Sequence, residues 1–305
     1  MKALAIIFTC VFLVSLIGFV ATAAETGFDW LRGGINMGFY GDWKPFDVSE
    51  TFHETYSNID IGIIAARVTV KKSADGITKV RYNNERPGID FIAEISGGDT
   101  LVVKEKLTGR FISWFNWGWG DSKLEMEIPE NIYNRIDLNT VSGKVNAALP
   151  YTDNLYVNTT SGDVTLDFIS GKTSAYLSSH STSGNITING FSPGRFDVSA
   201  ISGKLNLTGL SGSGSVNMTT GKANLDFARW DGNLNVKLIS GSAYIKIPGG
   251  SGADLSFSRA SGSLKYNLNG DSGKLTGSGT VSVGGGNKQR VDVNLTSGYV
   301  EITDY

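Results

Sequence analysis

Asn139-Thr140-Val141-Ser142-Gly143-Lys144-Val145 is followed, nineteen residues on, by Asn158-Thr159-Thr160-Ser161-Gly162-Asp163-Val164. The Ser-Gly or Thr-Gly pair returns at Ser183-Gly184, Ser202-Gly203, Thr220-Gly221, Ser240-Gly241, Ser261-Gly262 and Ser297-Gly298. Successive glycines are 19, 22, 19, 18, 20, 21 and finally 36 residues apart. A repeat near 20 residues is the period of solenoid rungs.

The flanks repeat with the pair. Four residues before the Ser or Thr stand Leu138, Val157, Ser179, Val198, Val216, Val236, Phe257 and Val293. Three after it stand Val145, Val164, Ile186, Leu205, Ala223, Ala243, Leu264 and Val300, and five after it Ala147, Leu166, Ile188, Leu207, Leu225, Ile245, Tyr266 and Ile302. Alternation within each flank is the mark of half-buried strands. It skips one residue across the pair, so both flanks face one interior only if the chain turns there. Gly143, Gly162, Gly184, Gly203, Gly221, Gly241, Gly262 and Gly298 are therefore assigned to turns, with positive φ expected at Gly162 and Gly203.

An all-β fold follows. A β-solenoid, right-handed and β-helix-like, makes each pair a corner and stacks Val164, Ile186, Leu205, Ala223 and Ala243 in one buried column. An antiparallel hairpin array, with Thr159 facing Val164, satisfies the same periodicity. Ile59–Val70 fits the template with Ala65-Ala66 in place of Ser-Gly and reads as a degenerate first rung. Gly270–Gly286 reads as an exposed hairpin, and Arg259 stands at an inward position just before it.

The chain divides into 1–23, a signal peptide or N-terminal membrane anchor; 24–50, an aromatic tether; 51–128, a β region with the degenerate rung; and 129–305, the Ser-Gly solenoid. Lys2 precedes an apolar run from Ala3 to Val20, and Ala21-Thr22-Ala23 offers a small-x-small cleavage site. The run is long enough that an uncleaved anchor is the alternative. Both readings put the rest of the chain outside the cytoplasm, either secreted or held at the membrane. Cys10, the single cysteine, lies within this run, so the remainder has no thiol chemistry. A net charge of −2 with no basic run argues against nucleic acid as partner.

Phe52-x-x-x-Tyr56-x-x-Ile59-Asp60-Ile61, Asp99-Thr100-Leu101-Val102-Val103, Ile128-Pro129 and the repeated Thr-x-Ser-Gly-x-Val resemble, in that order, the bacterial putative-adhesin family of β-strand repeat proteins, a domain of unknown function. The resemblance covers roughly residues 50–305. It implies a β-helix-like fold, an N-terminal signal or anchor, an extracytoplasmic location and no catalytic residues.

Nothing in the residues themselves points to an enzyme. Asp163, Asp167, Asp197 and Asp226 are scattered over different rungs, whereas glycoside cleavage uses a facing carboxylate pair. His53 and His180 are the only histidines, and no metal-ligand spacing occurs, so neither metal nor cofactor is expected. The Asn-x-Ser/Thr sequons follow from an Asn- and Thr-rich composition. One stretch stands apart: Phe111-Ile112-Ser113-Trp114-Phe115-Asn116-Trp117-Gly118-Trp119-Gly120. It reads either as a lid on an open core end or as a contact loop, with Trp114, Phe115, Trp117 and Trp119 as its binding residues. The expected function is a non-catalytic, adhesin-like envelope or surface module. Its partner is an envelope component, a membrane interface or a surface glycan or protein, with no small-molecule substrate. A membrane-anchored envelope-stress accessory or sensor protein and a carbohydrate-active β-helix enzyme are the competing readings.

Overall fold

The computed structural model describes residues 45–85, 89–107, 122–168, 173–285 and 288–305. These residues form 22 strands and no helix. In chain order they are β1 (Phe46–Phe52), β2 (Asn58–Ile63), β3 (Arg67–Lys72), β4 (Thr78–Asn84), β5 (Ile89–Ser96), β6 (Thr100–Leu107), β7 (Lys123–Ile128), β8 (Tyr133–Thr140), β9 (Lys144–Leu149), β10 (Thr152–Thr159) and β11 (Asp163–Phe168). There follow β12 (Thr173–Ser181), β13 (Ile186–Asn189), β14 (Ser192–Ala200), β15 (Lys204–Leu210), β16 (Ser213–Phe227), β17 (Leu234–Ile247), β18 (Gly252–Arg259), β19 (Ser263–Leu268), β20 (Asp271–Leu275), β21 (Gly279–Gly284) and β22 (Lys288–Asp304).

Each rung is a pair of strands joined through a corner, and β16, β17 and β22 run through their corners without a break. Rungs pair in parallel and in register, which rules out the hairpin array. Val164 pairs with Ile186, Ile186 with Leu205, Leu205 with Ala223 and Ala223 with Ala243. The same column continues through Val145, Val68 and Leu124 at one end and through Val300 and Leu264 at the other. All ten side chains are buried. Parallel rungs about 4.8 Å apart stack like on like. A buried Val or Leu on such a stack contributes roughly 1.5–3 kcal/mol from apolar surface removed from water.

The rungs do not stack in chain order. The order is β6/β7, β2/β3, β8/β9, β10/β11, β12/β13, β14/β15, β16, β17, β22, β18/β19. The Ile59–Val70 rung is thus second in the stack, covered by a rung from later in the chain. Its corner is in register with the next, since Arg67 pairs with Lys144. The Ser297-Gly298 rung is not terminal either, because β22 threads between β17 and the β18/β19 pair. Physical chemistry accounts for that placement. Val291, Val293, Leu295, Val300 and Ile302 are all buried and need cover on both sides. The β18/β19 rung, with Arg259 inward and Tyr266 half-buried, tolerates an end.

Antiparallel strands cover the β7 half of one end rung and both strands of the other. At one, β4 pairs with β7 and β1 with β4. At the other, β20 lies along β19 and β21 along β18. The Gly-rich excursion is an exposed hairpin, as expected, and it also serves as an end layer on the last rung. It is entered by a two-residue turn in which Asn269 (φ 52°) and Gly270 (φ 85°) both adopt positive φ, the geometry that matches strand twist. Such layers cover the edge that a parallel stack leaves exposed.

The corners explain the repeated motif. Ser142 donates both its backbone N–H (2.9 Å) and its hydroxyl (3.0 Å) to the carbonyl of Ile64, and Ser161 does the same to Val141 (2.7 and 3.1 Å). Ser183 and Ser202 continue the ladder. Inside the corner, the hydroxyls of Thr159 and Ser181 close onto the carbonyls of Gly162 and Gly184. Gly203 has φ of 111°, but Gly162 lies outside the positive-φ region, contrary to expectation. Glycine is required at 162 by proximity: a Cβ there would sit 2.3 Å from the carbonyl oxygen of Gly143 on the rung beneath.

Candidate functional site

Trp114, Phe115, Trp117 and Trp119 lie outside the described residues, as do the apolar leader and most of the aromatic tether. The eight turn glycines lie at corners, with Gly221, Gly241 and Gly298 paired in register across three neighbouring rungs.

The described surface carries one feature that the residue pattern did not single out. Outward positions three before each corner Ser or Thr form a row across six rungs: His180, Ser199, Asn217, Lys237, Asn294 and Ser258. The positions next to the corner form a second row of Ile201, Thr219, Ile239, Thr296 and Ala260. The two rows line an open groove of about 570 Å³ along the solenoid axis. Five steps of about 4.8 Å give it a length near 24 Å. Its polar side presents amide, hydroxyl and imidazole groups. Its corner side is more apolar, and Ile239 is 53 % exposed.

Among the described residues no carboxylate lines the groove; Lys237 and His180 stand on its polar row, and Arg259 borders it from an inward position. Arg259 donates to the carbonyl of Gly262 (2.9 Å), and His180 shares a 2.7 Å hydrogen bond with Ser199. Lys237 has no carboxylate partner among the described residues. The next outward row holds Asp197 and Asp292, each beside its own arginine, Arg195 at 3.3 Å and Arg290 at 2.8 Å. Partial burial alone would raise the Asp197 carboxyl. Hydrogen bonds from Ser215 and Tyr176, with the Arg195 charge, outweigh it and hold the group below its usual range. Lys237 is left as the uncompensated charge along the groove.

Two further clusters share this face. The Arg135 guanidinium lies 4.3 Å from the Tyr156 ring centroid, and Tyr156 meets Tyr176 edge-on at 5.7 Å. Asp60 and Asp137, which the residue pattern did not flag, are register partners on adjacent rungs. Burial, partly countered by Arg135, raises the Asp137 carboxyl. Lys104 pairs with Asp60 (2.5 Å) and Arg135 with Asp137 (2.7 Å). Of the four acids marked in the sequence, Asp163 accepts from Asn185, Asp167 accepts from Asn189, and Asp197 is held as above. Among the described residues no group of three or more His, Cys, Asp or Glu is arranged to hold a metal ion. No described helix is long and apolar enough to cross a membrane.

Parallel rungs with laddered Ser-Gly corners and antiparallel end layers define a β-solenoid domain. The chain belongs to the Toastrack DUF4097 family, whose profile matches residues 56–303. No curated protein matches it. Among solved structures it resembles a putative adhesin from Bacteroides fragilis at 10% identity, covering 85% of this chain and 97% of that one, with a TM-score of 0.47. It also resembles a putative adhesin from Parabacteroides distasonis (14% identity, 86% and 98% covered, TM-score 0.40). A putative lipid binding protein from the same species is similar at 14% identity, with 87% and 98% covered and a TM-score of 0.42.

Proposed function

We propose that this chain is a non-catalytic binding module of the cell envelope, displayed outside the cytoplasm and engaging an envelope or surface component through the side of its solenoid. The observation that carries this reading is the groove: six rungs place polar side chains in one straight row beside a partly apolar lip. A rigid repeat fold gives such a row fixed spacing, the usual way solenoids build extended binding surfaces. The leader from Ala3 to Val20 supports export.

The arrangement of acids supports the absence of catalysis. Cleavage of a glycosidic bond uses two carboxylates on opposite sides of the bond, one of them protonated. Asp60 and Asp137 instead stand side by side on one outward row, each beside a cation.

Cell fractionation with protease shaving tests the reading. The protein is expected in the envelope fraction, cleaved by added protease in intact cells or spheroplasts. Recovery of folded protein in the cytosol, protected from protease, would overturn it.

A further inference from the structure

We propose that the groove across β12, β14, β16, β17, β22 and β18 binds a linear acidic polysaccharide, with Lys237 meeting a carboxylate of the sugar chain. The inference rests on the binding-module reading and adds the chemistry of the ligand. Three features point to it.

The first is shape. The groove is open at its ends and about 24 Å long by rung count, so it accommodates an extended polymer rather than a compact molecule. Each rung advances by roughly the length of one sugar residue, about 4.8 Å.

The second is the lining. Asn217 and Asn294 flank Lys237 on neighbouring rungs. An Asn side chain both donates and accepts, which matches a hydroxyl that does the same. Ile201 and Ile239 on the corner side offer apolar contact for the C–H face of a sugar ring. An added peptide strand would need free backbone N–H and C=O groups. None face the groove, because the strands that form it are already paired on both sides from β14 to β22. The groove also lacks the aromatic side chains on which nucleic-acid bases stack.

The third is charge. Lys237 sits in the middle of the polar row without a carboxylate partner among the described residues, and no acid lines the groove. The nearest acidic row is compensated by Arg195 and Arg290. An uncompensated lysine at the centre of an acid-free groove, on a chain of net charge −2, is a local feature suited to an anionic ligand.

Calorimetric titration of the exported full chain with oligogalacturonate, a neutral galactose oligomer of equal length and polyglutamate tests this. Oligogalacturonate is expected to bind, more weakly as salt rises, and the other two at least tenfold more weakly. Lys237→Glu is expected to weaken oligogalacturonate binding at least tenfold and Asn217→Ala several-fold. Lys246→Glu, on the other flank of the rung, is expected to leave it unchanged. All three side chains are exposed, and matching unfolding curves will show that the variants fold. Equal binding of the neutral oligomer, equal binding of polyglutamate, no binding of oligogalacturonate, or indifference to Lys237→Glu would each overturn the proposal. If oligogalacturonate fails while Lys237→Glu still releases the protein from isolated envelopes, the ligand class is wrong and the module reading stands.

Discussion

Glu105 and Arg259 stand at opposite ends of one inward column. The column runs from Glu105 past Ile63, Thr140, Thr159, Ser181, Ala200, Met218, Leu238 and Leu295 to Arg259. Corner N–H groups donate along the stack toward the Glu105 end, as in Ser142 to Ile64 and Ser261 to Thr296. At the Ile64–Ala66 corner, the Glu105 carboxylate accepts from all three backbone N–H groups, at 2.7, 2.8 and 3.4 Å. The last corner would leave carbonyls without donors, and the Arg259 guanidinium takes that of Gly262. An acceptor caps the donor end and a donor caps the acceptor end, the same complementarity that charged residues show at helix termini.

Glu105→Ala is expected to destabilise the fold by about 3 kcal/mol, because three backbone N–H groups and the Tyr82 hydroxyl (2.7 Å) lose a charged acceptor. Glu105→Gln keeps one acceptor oxygen and is expected to cost roughly half as much. Urea unfolding will rank the two, and equal losses would show that the charge itself is what matters.

Gly162→Ala is expected to cost about 2–3 kcal/mol through overlap with a backbone carbonyl that has no room to move. Gly241→Ala, whose nearest atom would be 3.0 Å away, is expected to cost about 1 kcal/mol. Ser161→Ala removes one exposed hydroxyl bond from the ladder and is expected to cost about 0.5 kcal/mol. If Ser161→Ala matched Gly162→Ala in denaturant midpoint, the hydroxyl ladder and not the close approach would specify the corner.

Ser179 lies between Val157 and Val198 in a buried column, and its hydroxyl has no partner among the described residues. Ser179→Ala is expected to stabilise the protein by about 1 kcal/mol, since a buried polar group without a partner is worse than none. A fall in melting temperature would mean that the hydroxyl is bound to a buried water.

Val293 lies twelve residues from the last residue of the chain, yet it is in the interior of the stack. Val293→Ala is expected to cost roughly 2–3 kcal/mol, against about 1 kcal/mol for Val283→Ala in the end layer. A chain ending at Gly284 is expected to lose cooperative unfolding in its last third, because β17 and β18 lose the strand between them. An unchanged transition would place β22 at the edge instead.

The inward face was legible in the sequence. Positions four before and three and five after each corner alternate, and the repeat states the same alternation eight times. Ala65-Ala66 was legible for the same reason. The order of rungs was not, because a pattern shared by every rung carries no information about its neighbour. The one local hint was Arg259, a charge at an inward position, which marks an end rung. Glu105 is its counterpart, hidden because its rung has no Ser-Gly pair. The groove row was present in the template at the third position before each corner. Its side chains share polarity but not identity, so periodicity gave it no weight. The need for glycine at Gly162 came from the stacking of one corner on another, which no single repeat displays.

The crossed-over rungs at both ends fix where this architecture can vary in length. Adding or removing a whole unit next to β2 or β22 would disturb a clamp in which distant parts of the chain are interleaved. Between β8 and β17 every rung touches only its sequence neighbours. A unit inserted there, such as a second copy of residues 182–200, would extend each column by one side chain and leave both clamps unchanged. The fold therefore elongates from its middle, and the groove, which starts in that middle and reaches the far clamp, would lengthen with it.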